Sequence, residues 1–207
     1  MALLFVRHGS TVLNAGDPAD PRDYFRGWTP APLSDFGHKT MAQTADWFQK
    51  NKVQLSSIVS SDMPRSVQSA QHLSQATGVP VQIDQRLRPL NIGHLTEQLI
   101  TPDNIKLLDQ AQKDHTMPLP GGESYSDFLN RYKSILPELL QAGQQGNVAV
   151  VTHHRNLLAL PNIFFNQPIT TKGPPEPGGV MVLTQKGLKP LFTPIQSKEA
   201  YNEHAAS

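Results

Sequence analysis

The chain has 207 residues, of which 38% are hydrophobic, and this is enough apolar material for one core in a single domain, placed at residues 1–195 before a polar tail at 196–207. Its 18 basic and 17 acidic side chains leave a formal charge of +1, which argues against a nucleic-acid or membrane-surface binder. The absence of cysteine excludes disulfides, thiolate catalysis and cysteine-bound metals.

Short runs rich in β-branched residues alternate with helix-like segments. The predicted strands are Ala2 to Val6, Ile58 to Ser60, Val79 to Ile83, Val148 to Thr152 and Val180 to Leu183. The predicted helices are Leu33 to Lys50 with Ser34 as N-cap, Pro64 to Gly78, and Ser124 to Ala142 with an interruption or kink at Pro137. This alternation predicts an α/β fold, a three-layer α/β/α sandwich with a mostly parallel central sheet.

Two segments do not fit this alternation and are predicted as ordered loops or flaps: Asp17 to Pro32 and Pro168 to Gly179. Substrate specificity is expected to come from two irregular loops, Asp17 to Pro32 and roughly Ile92 to Gly121. The N-terminal apolar run from Ala2 to Val6 is too short for a secretory signal or a membrane span. We therefore expect a cytoplasmic protein without a membrane partner.

Unusual side chains follow three of the predicted strands. Arg7, His8 and Gly9 follow the first, Arg65 comes shortly after the second, and the pair His153 and His154 follows the fourth. Ligands of open α/β sheets bind beyond the carboxyl ends of the strands. Two arginines and two or three histidines meeting there would form a cationic pocket suited to a phosphoryl group.

These residues lie within segments that resemble, in order, the motifs of the histidine phosphatase superfamily, the phosphoglycerate-mutase-like proteins. The segments are RHGSTVLN, PLSDFGHKTMA, SSDMPRSVQSA, PGGESYSDFLNR and VVTHHRN, and the resemblance covers roughly residues 3–160. Several ordered motifs are far more specific than a single RHG.

The resemblance implies a role for each matching residue. His8 would be the nucleophile, a neutral imidazole that attacks phosphorus while its other ring nitrogen is bonded to the backbone, with Gly9 allowing a close turn. Arg7, Arg65 and His153 would hold the phosphoryl oxygens.

Five residues would bind substrate by the same resemblance: Gly9, Thr11, Asn14, Arg26 and Gly27, the last two in the FRGW loop. Glu123 would cap the following helix or orient an active-site group. No cofactor is expected, and no metal, because adjacent histidines on an extended or turn segment point apart and no HExxH spacing occurs.

The chain departs from the family pattern at the proton donor. The family usually has a glutamate where this chain has Pro89, and proline has no proton to give. Two alternatives stay open: Glu97, eight residues further on, and His154, at the position that an aspartate takes in the acid phosphatases. Without a strong general acid, we expect activated phosphates such as aryl or acyl phosphates, or phosphoramidates, to be cleaved better than alkyl ones.

The leading prediction is a metal-independent phosphatase that hydrolyses a small phosphorylated substrate through a phosphohistidine on His8. One alternative is a phosphoglycerate-mutase-type phosphotransferase, which returns the phosphoryl group to a bound sugar acid. Another is a catalytically idle phosphate-binding module. The oligomeric state stays open, with a homodimer as one alternative.

Overall fold

A computed structural model describes residues 2–14, 23–169 and 175–194. The predicted tail at 196–207 lies outside these ranges, as do parts of the two loops predicted at 17–32 and 168–179. The described strands are β1 (Leu3–Arg7), β2 (Leu55–Ser60), β3 (Val81–Ile83), β4 (Asn147–Thr152), β5 (Val180–Thr184) and β6 (Gly187–Phe192). The helices are α1 (Asp35–Lys50), α2 (Pro64–Thr77), α3 (Pro102–Lys113), α4 (Tyr125–Lys133), α5 (Leu136–Gln145) and α6 (His154–Phe165).

The six strands form one sheet in the order β3-β2-β4-β1-β5-β6. The strands β3, β2, β4 and β1 are parallel, whereas β5 is antiparallel to β1 and β6 is antiparallel to β5. This confirms the predicted α/β fold with a mostly parallel sheet.

Alternation along β1 shows why helices cover both faces of the sheet. Leu3 and Phe5 belong to a buried cluster that includes residues of α4, α5 and α6, while Leu4 and Val6 belong to a second cluster with α1 and α2. Successive side chains of a strand point to opposite faces, so an unbroken apolar run requires cover on both sides. The layers are therefore helix, sheet and helix.

Local signals set several helix ends as predicted. Ser34 caps α1 by accepting a hydrogen bond from the Gly37 N–H at 3.1 Å. Pro64 opens α2, and Gly78 ends it in the left-handed region at φ +74°. The segment predicted at 124–142 is two helices, and Pro137 stands in the first turn of the second rather than inside a kinked helix.

Three elements were not predicted from the sequence: α3, β6 and α6. The prediction of an irregular loop over 92–121 is wrong at Pro102–Lys113, where α3 begins at the N-cap Thr101 and Pro102 and buries Leu108 and Ala111. The strand β6 has no buried residue and contains Pro190, which a sheet tolerates at its edge. No helix in the described ranges combines the length and apolarity needed to cross a membrane.

Candidate active site

The carboxyl ends of β1, β2 and β4 meet at one edge of the sheet because β4 lies between the other two and all three are parallel. A cleft of about 320 Å³ opens there. Its described lining residues are Arg7, His8, Asn14, Asp23, Tyr24, Phe25, Arg26, Gly27, Arg65, Pro89, Leu90, Ile92, Ile100, His153, His154 and Arg155. The strand ends singled out in the sequence therefore converge on one cavity.

His8 is held by backbone groups directly after β1. Its side chain is buried. Its backbone N–H donates to Thr152 O at 3.0 Å, and its ring Nδ1 lies 2.7 Å from Gly9 O. A carbonyl oxygen only accepts hydrogen bonds, so Nδ1 carries the proton in this contact. The lone pair of the neutral ring then belongs to Nε2, and the ring has one fixed tautomer.

His153, the N-cap residue of α6, lies beside His8, with 5.0 Å between the ring centroids. Its Nε2 is 2.6 Å from Ser61 Oγ, a hydroxyl at the end of β2. When the serine hydroxyl donates to Nε2, the neutral His153 ring carries its proton on Nδ1. Nδ1 is then a donor for a bound group.

Arg65 and Arg7 are fixed by backbone carbonyls rather than by carboxylates. Arg65 is 1% exposed, and its Nη1 and Nη2 donate to Thr29 O and Gly27 O, each at 2.8 Å. Arg7 Nη1 donates to Pro175 O at 3.0 Å. Because carbonyls carry no formal charge, the positive charge of both guanidinium groups remains available to an anion.

Buried polar atoms without a hydrogen-bond partner in the described part of the chain concentrate at this cleft. The described residues contain six such side-chain atoms, and four of the six belong to cleft residues: Arg7 Nε, Arg65 Nε, His153 Nδ1 and His154 Nδ1. A buried donor without a partner is costly, and a multivalent anion accepts several such bonds at once. The lining is thus suited to a phosphoryl group.

The electrostatics of the cleft favour neutral imidazoles beside charged guanidiniums. Burial, followed by the charge of Arg65, lowers the pKa of both His8 and His153 well below the usual histidine value. Burial, with the charge of Arg26, also lowers the pKa of Arg7 to about 10 and that of Arg65 to about 9, which leaves both charged at neutral pH. His8 can therefore present a lone pair at neutral pH.

The predicted substrate-binding residues occupy different places. Asn14, Arg26 and Gly27 line the cleft, and Arg26 Nη1 donates to Leu13 O and to Asp23 Oδ1, both at 3.0 Å. Thr11 does not line it; its N–H and hydroxyl donate to Asn14 Oδ1 at 2.8 and 3.0 Å and so orient that amide.

Gly9 also lies outside the cleft lining and faces α1. A Cβ added there would lie 2.7 Å from Gly37 O and 2.9 Å from Met41 Cγ. Gly9 therefore permits close packing of the strand end against the helix, in addition to supplying the carbonyl that binds His8.

The two predicted proton donors, Glu97 and His154, each lack one requirement of a general acid: a place in the cleft or a proton to give. Glu97 is exposed and outside the cleft lining, and its Oε1 accepts a hydrogen bond from Thr29 Oγ1 at 2.8 Å. His154 does line the cleft, but burial and the charges of Arg7 and Arg155 lower its pKa to about 3, so it is neutral at pH 7. A neutral imidazole is a weak acid.

Pro89, which stands where the resemblance implies a glutamate, lines the cleft, and hydrogen bonds hold its carbonyl. Pro89 O accepts from Trp28 Nε1 at 2.8 Å and from Arg131 Nη2 at 3.1 Å. Glu123 Oε1 accepts from Arg131 Nη2 at 2.6 Å and from the Asn91 N–H at 2.8 Å. Glu123 thus holds the segment from Pro89 to Asn91 in place through Arg131 and the Asn91 N–H, while Ser124 is the residue that caps α4.

Three residues at the cleft have no role predicted from the sequence: Ser61, Asp23 and Arg155. Ser61 lies in the SSDMPRS segment, Asp23 three residues before Arg26, and Arg155 directly after His154. Their nearness to the motif residues was the available signal, but only the fold shows that Ser61 bonds to His153 and that Asp23 and Arg155 line the cleft. No group of three or more potential metal-ligating side chains occurs in the ranges that the structure describes.

The family model of the histidine phosphatase superfamily (branch 1) matches residues 3–189. A glucosyl-3-phosphoglycerate phosphatase of Mycolicibacterium vanbaalenii is 31% identical over 181 residues, which is 81% of this chain and 75% of that protein. A probable phosphoglycerate mutase GpmB of Salmonella choleraesuis is 26% identical over 159 residues, 74% of this chain and 69% of the relative.

Solved structures show the same fold. A mycobacterial glucosyl-3-phosphoglycerate phosphatase superimposes with a TM-score of 0.75 at 22% identity, over 94% of this chain and 99% of the other. A phosphoglycerate mutase from Thermus thermophilus gives a TM-score of 0.65 at 21% identity, over 95% and 100% of the two chains. The family match extends over nearly the whole described structure, and the chain belongs to branch 1 of the histidine phosphatase superfamily.

Proposed function

We propose that this protein is a metal-independent phosphohydrolase that transfers the phosphoryl group of a small substrate to His8 Nε2 and then to water. The observation that carries the proposal is the 2.7 Å contact between His8 Nδ1 and Gly9 O, which fixes the proton on Nδ1 and the lone pair on Nε2. The family membership and the phosphatase among the relatives support it.

In the first step Nε2 forms a bond to phosphorus while the bond from phosphorus to the leaving oxygen breaks. In the second step water attacks phosphorus, the N–P bond breaks, and His8 regains its lone pair. Arg7, Arg65 and His153 Nδ1 hold the non-bridging oxygens in both transition states. These are preorganised donors, because backbone carbonyls and Ser61 fix their side chains.

The leaving oxygen receives little help from the protein. Pro89 offers no proton, Glu97 lies outside the cleft, and His154 is neutral at pH 7. Asp23 is the carboxylate among the described lining residues, and its Oδ1 is already bonded to Arg26. We therefore propose that activated phosphates, whose leaving group departs with little protonation, are the better substrates. The cytoplasmic location and homodimerisation stay predictions.

The proposal is tested by turnover of p-nitrophenyl phosphate after dialysis against a chelator. We expect hydrolysis without added metal, loss of at least about 10³-fold in kcat with His8→Ala, and no effect of His94→Ala, since His94 is exposed and outside the cleft. Turnover that survives His8→Ala would contradict the nucleophile. Phosphate binding without any turnover would identify an idle binding module instead.

Product analysis with 3-phosphoglycerate separates hydrolysis from mutase activity. A probable phosphoglycerate mutase is among the relatives, so this comparison is informative. The proposal predicts inorganic phosphate as the product, if any turnover of this substrate occurs. Formation of 2-phosphoglycerate would favour the phosphotransferase.

A further inference from the structure

The described lining of the cleft divides into two chemical classes. One class consists of polar side chains: Arg7, His8, Asn14, Asp23, Tyr24, Arg26, Arg65, His153, His154 and Arg155. The other class consists of hydrocarbon side chains: Phe25, Pro89, Leu90, Ile92 and Ile100. The phosphoryl group binds donors of the polar class, so the hydrocarbon class is available to the rest of the substrate.

The hydrocarbon side chains form a fixed wall rather than a mobile loop. Leu90 is 1% and Ile92 4% exposed, both belong with Phe25 to the larger core cluster, and Ile100 packs against that cluster. Pro89 is fixed through its carbonyl by Trp28 and Arg131. The wall is therefore a largely buried part of the protein core that borders the cleft, and close packing keeps its shape when a ligand arrives.

Such a wall discriminates between leaving groups. A sugar or a glycerate packed on this wall would place hydroxyl or carboxylate groups against carbon, where they would lose water without gaining a hydrogen bond. Hydrocarbon placed there leaves water favourably, and each buried methylene is worth roughly fourfold in binding. Pro89 belongs to this wall. Proline therefore has two effects: it offers no proton to the leaving group, and it adds apolar surface for that group.

We propose that the substrate is a phosphate monoester of a phenol, with the aromatic ring against the wall formed by Phe25, Pro89, Leu90, Ile92 and Ile100. This inference rests on the proposed function. His8 Nε2 bonds to phosphorus as the P–O bond to the aryl oxygen breaks, and that oxygen leaves with the electron pair as a phenolate and takes a proton from solvent. Water then releases dihydrogen phosphate and neutral His8.

The test must separate apolar recognition from the ease of leaving-group departure. Benzyl phosphate and glycerol 1-phosphate serve this purpose, because benzyl alcohol is no better a leaving group than glycerol but is apolar. The proposal predicts a kcat/KM at least about 30-fold higher for benzyl phosphate, which corresponds to a few buried methylenes. Phenyl phosphate should be faster than both.

Variants connect this preference to the wall. Ile100→Asn should lower the benzyl-to-glycerol ratio about tenfold, and Ile100→Val should keep it within about twofold. The matched control is Ile105→Asn on α3, because Ile105 is 43% exposed and outside the cleft lining, so the ratio should stay unchanged.

The outcomes distinguish this inference from the function on which it rests. Equal kcat/KM for the two esters, or a higher value for glycerol 1-phosphate, would overturn the aromatic substrate while leaving the phosphatase intact. A ratio that Ile100→Asn and Ile105→Asn lower equally would also overturn it. No turnover of any of the three esters would overturn the phosphatase and the substrate proposal together.

Discussion

The geometry of Arg65 predicts that Arg65→Lys is a severe change although it preserves charge. The guanidinium uses two separate nitrogens to bind Thr29 O and Gly27 O, and its Nε remains without a partner in the described residues. An ammonium on a flexible stem cannot reach both carbonyls and face the cleft at once. The substitution therefore removes one or two charge-assisted hydrogen bonds and misplaces the remaining donor.

The expected magnitudes follow from these contacts. A hydrogen bond to a charged group contributes about 1.5 to 3 kcal/mol, so we expect the free energy of unfolding to fall by about 2 to 4 kcal/mol. Loss of one oriented donor to the transition state should lower kcat/KM by about 10² to 10³. Urea unfolding and steady-state kinetics with p-nitrophenyl phosphate measure the two effects separately.

Arg86→Lys is the matched control for Arg65→Lys. The Arg86 side chain is 33% exposed, pairs with Asp84 at 2.6 Å and with Glu138 at 2.7 Å, and does not line the cleft. Arg86→Lys therefore also removes charge-assisted hydrogen bonds and should lower the free energy of unfolding, but kcat/KM should not change. If Arg65→Lys retained the wild-type kcat/KM, the conclusion that the planar guanidinium of Arg65 acts in the site would be refuted.

Three further predictions concern the neighbouring residues. Because burial lowers the pKa of His8, His153 and His154, the last to about 3, the unfolded chain binds more protons below about pH 6.5. The free energy of unfolding should therefore fall by about 1 kcal/mol per histidine from pH 7 to 5.5, and flat stability in urea titrations would contradict this sign. Gly9→Ala should destabilise the protein by about 1 to 3 kcal/mol in the same assay, since its Cβ would meet Gly37 O at 2.7 Å, and an unchanged unfolding midpoint would count against that contact. Ser61→Ala should lower kcat/KM about tenfold and shift the ¹⁵N resonances of His153, because it removes the bond that sets the tautomer; an unshifted spectrum would show that Ser61 does not set it.

The sequence predicts those parts of the fold whose signals are local. The strands with buried β-branched runs and the helix ends at Ser34, Pro64 and Gly78 follow from short-range chemistry. The helix α3 was not predicted although Thr101 and Pro102 are ordinary helix-start signals, and β6 was not predicted because a partly exposed edge strand needs no apolar alternation. Such elements depend on tertiary contacts that periodicity does not report.

The candidate site shows the same division. The motifs around His8, Arg65 and His153 predicted that these side chains converge, and the structure places all three in the cleft. Phe25, Ile92 and Ile100 lie in the two loops expected to set specificity, but their apolar contacts at the cleft depend on the fold and could not be predicted. The spacing of Glu97 along the chain likewise does not report the bond to Thr29, which leaves Glu97 outside the cleft lining.

A covalent phosphohistidine on His8 is the intermediate on which the proposed mechanism depends, and it can be trapped. Rapid quench after mixing with p-nitrophenyl phosphate, without added metal, followed by intact-mass analysis would detect the adduct. We expect one acid-labile phosphoryl group on the wild-type protein and on His94→Ala, none on His8→Ala, and decay at a rate that matches turnover. Turnover without any adduct, or an adduct that persists in His8→Ala, would contradict it.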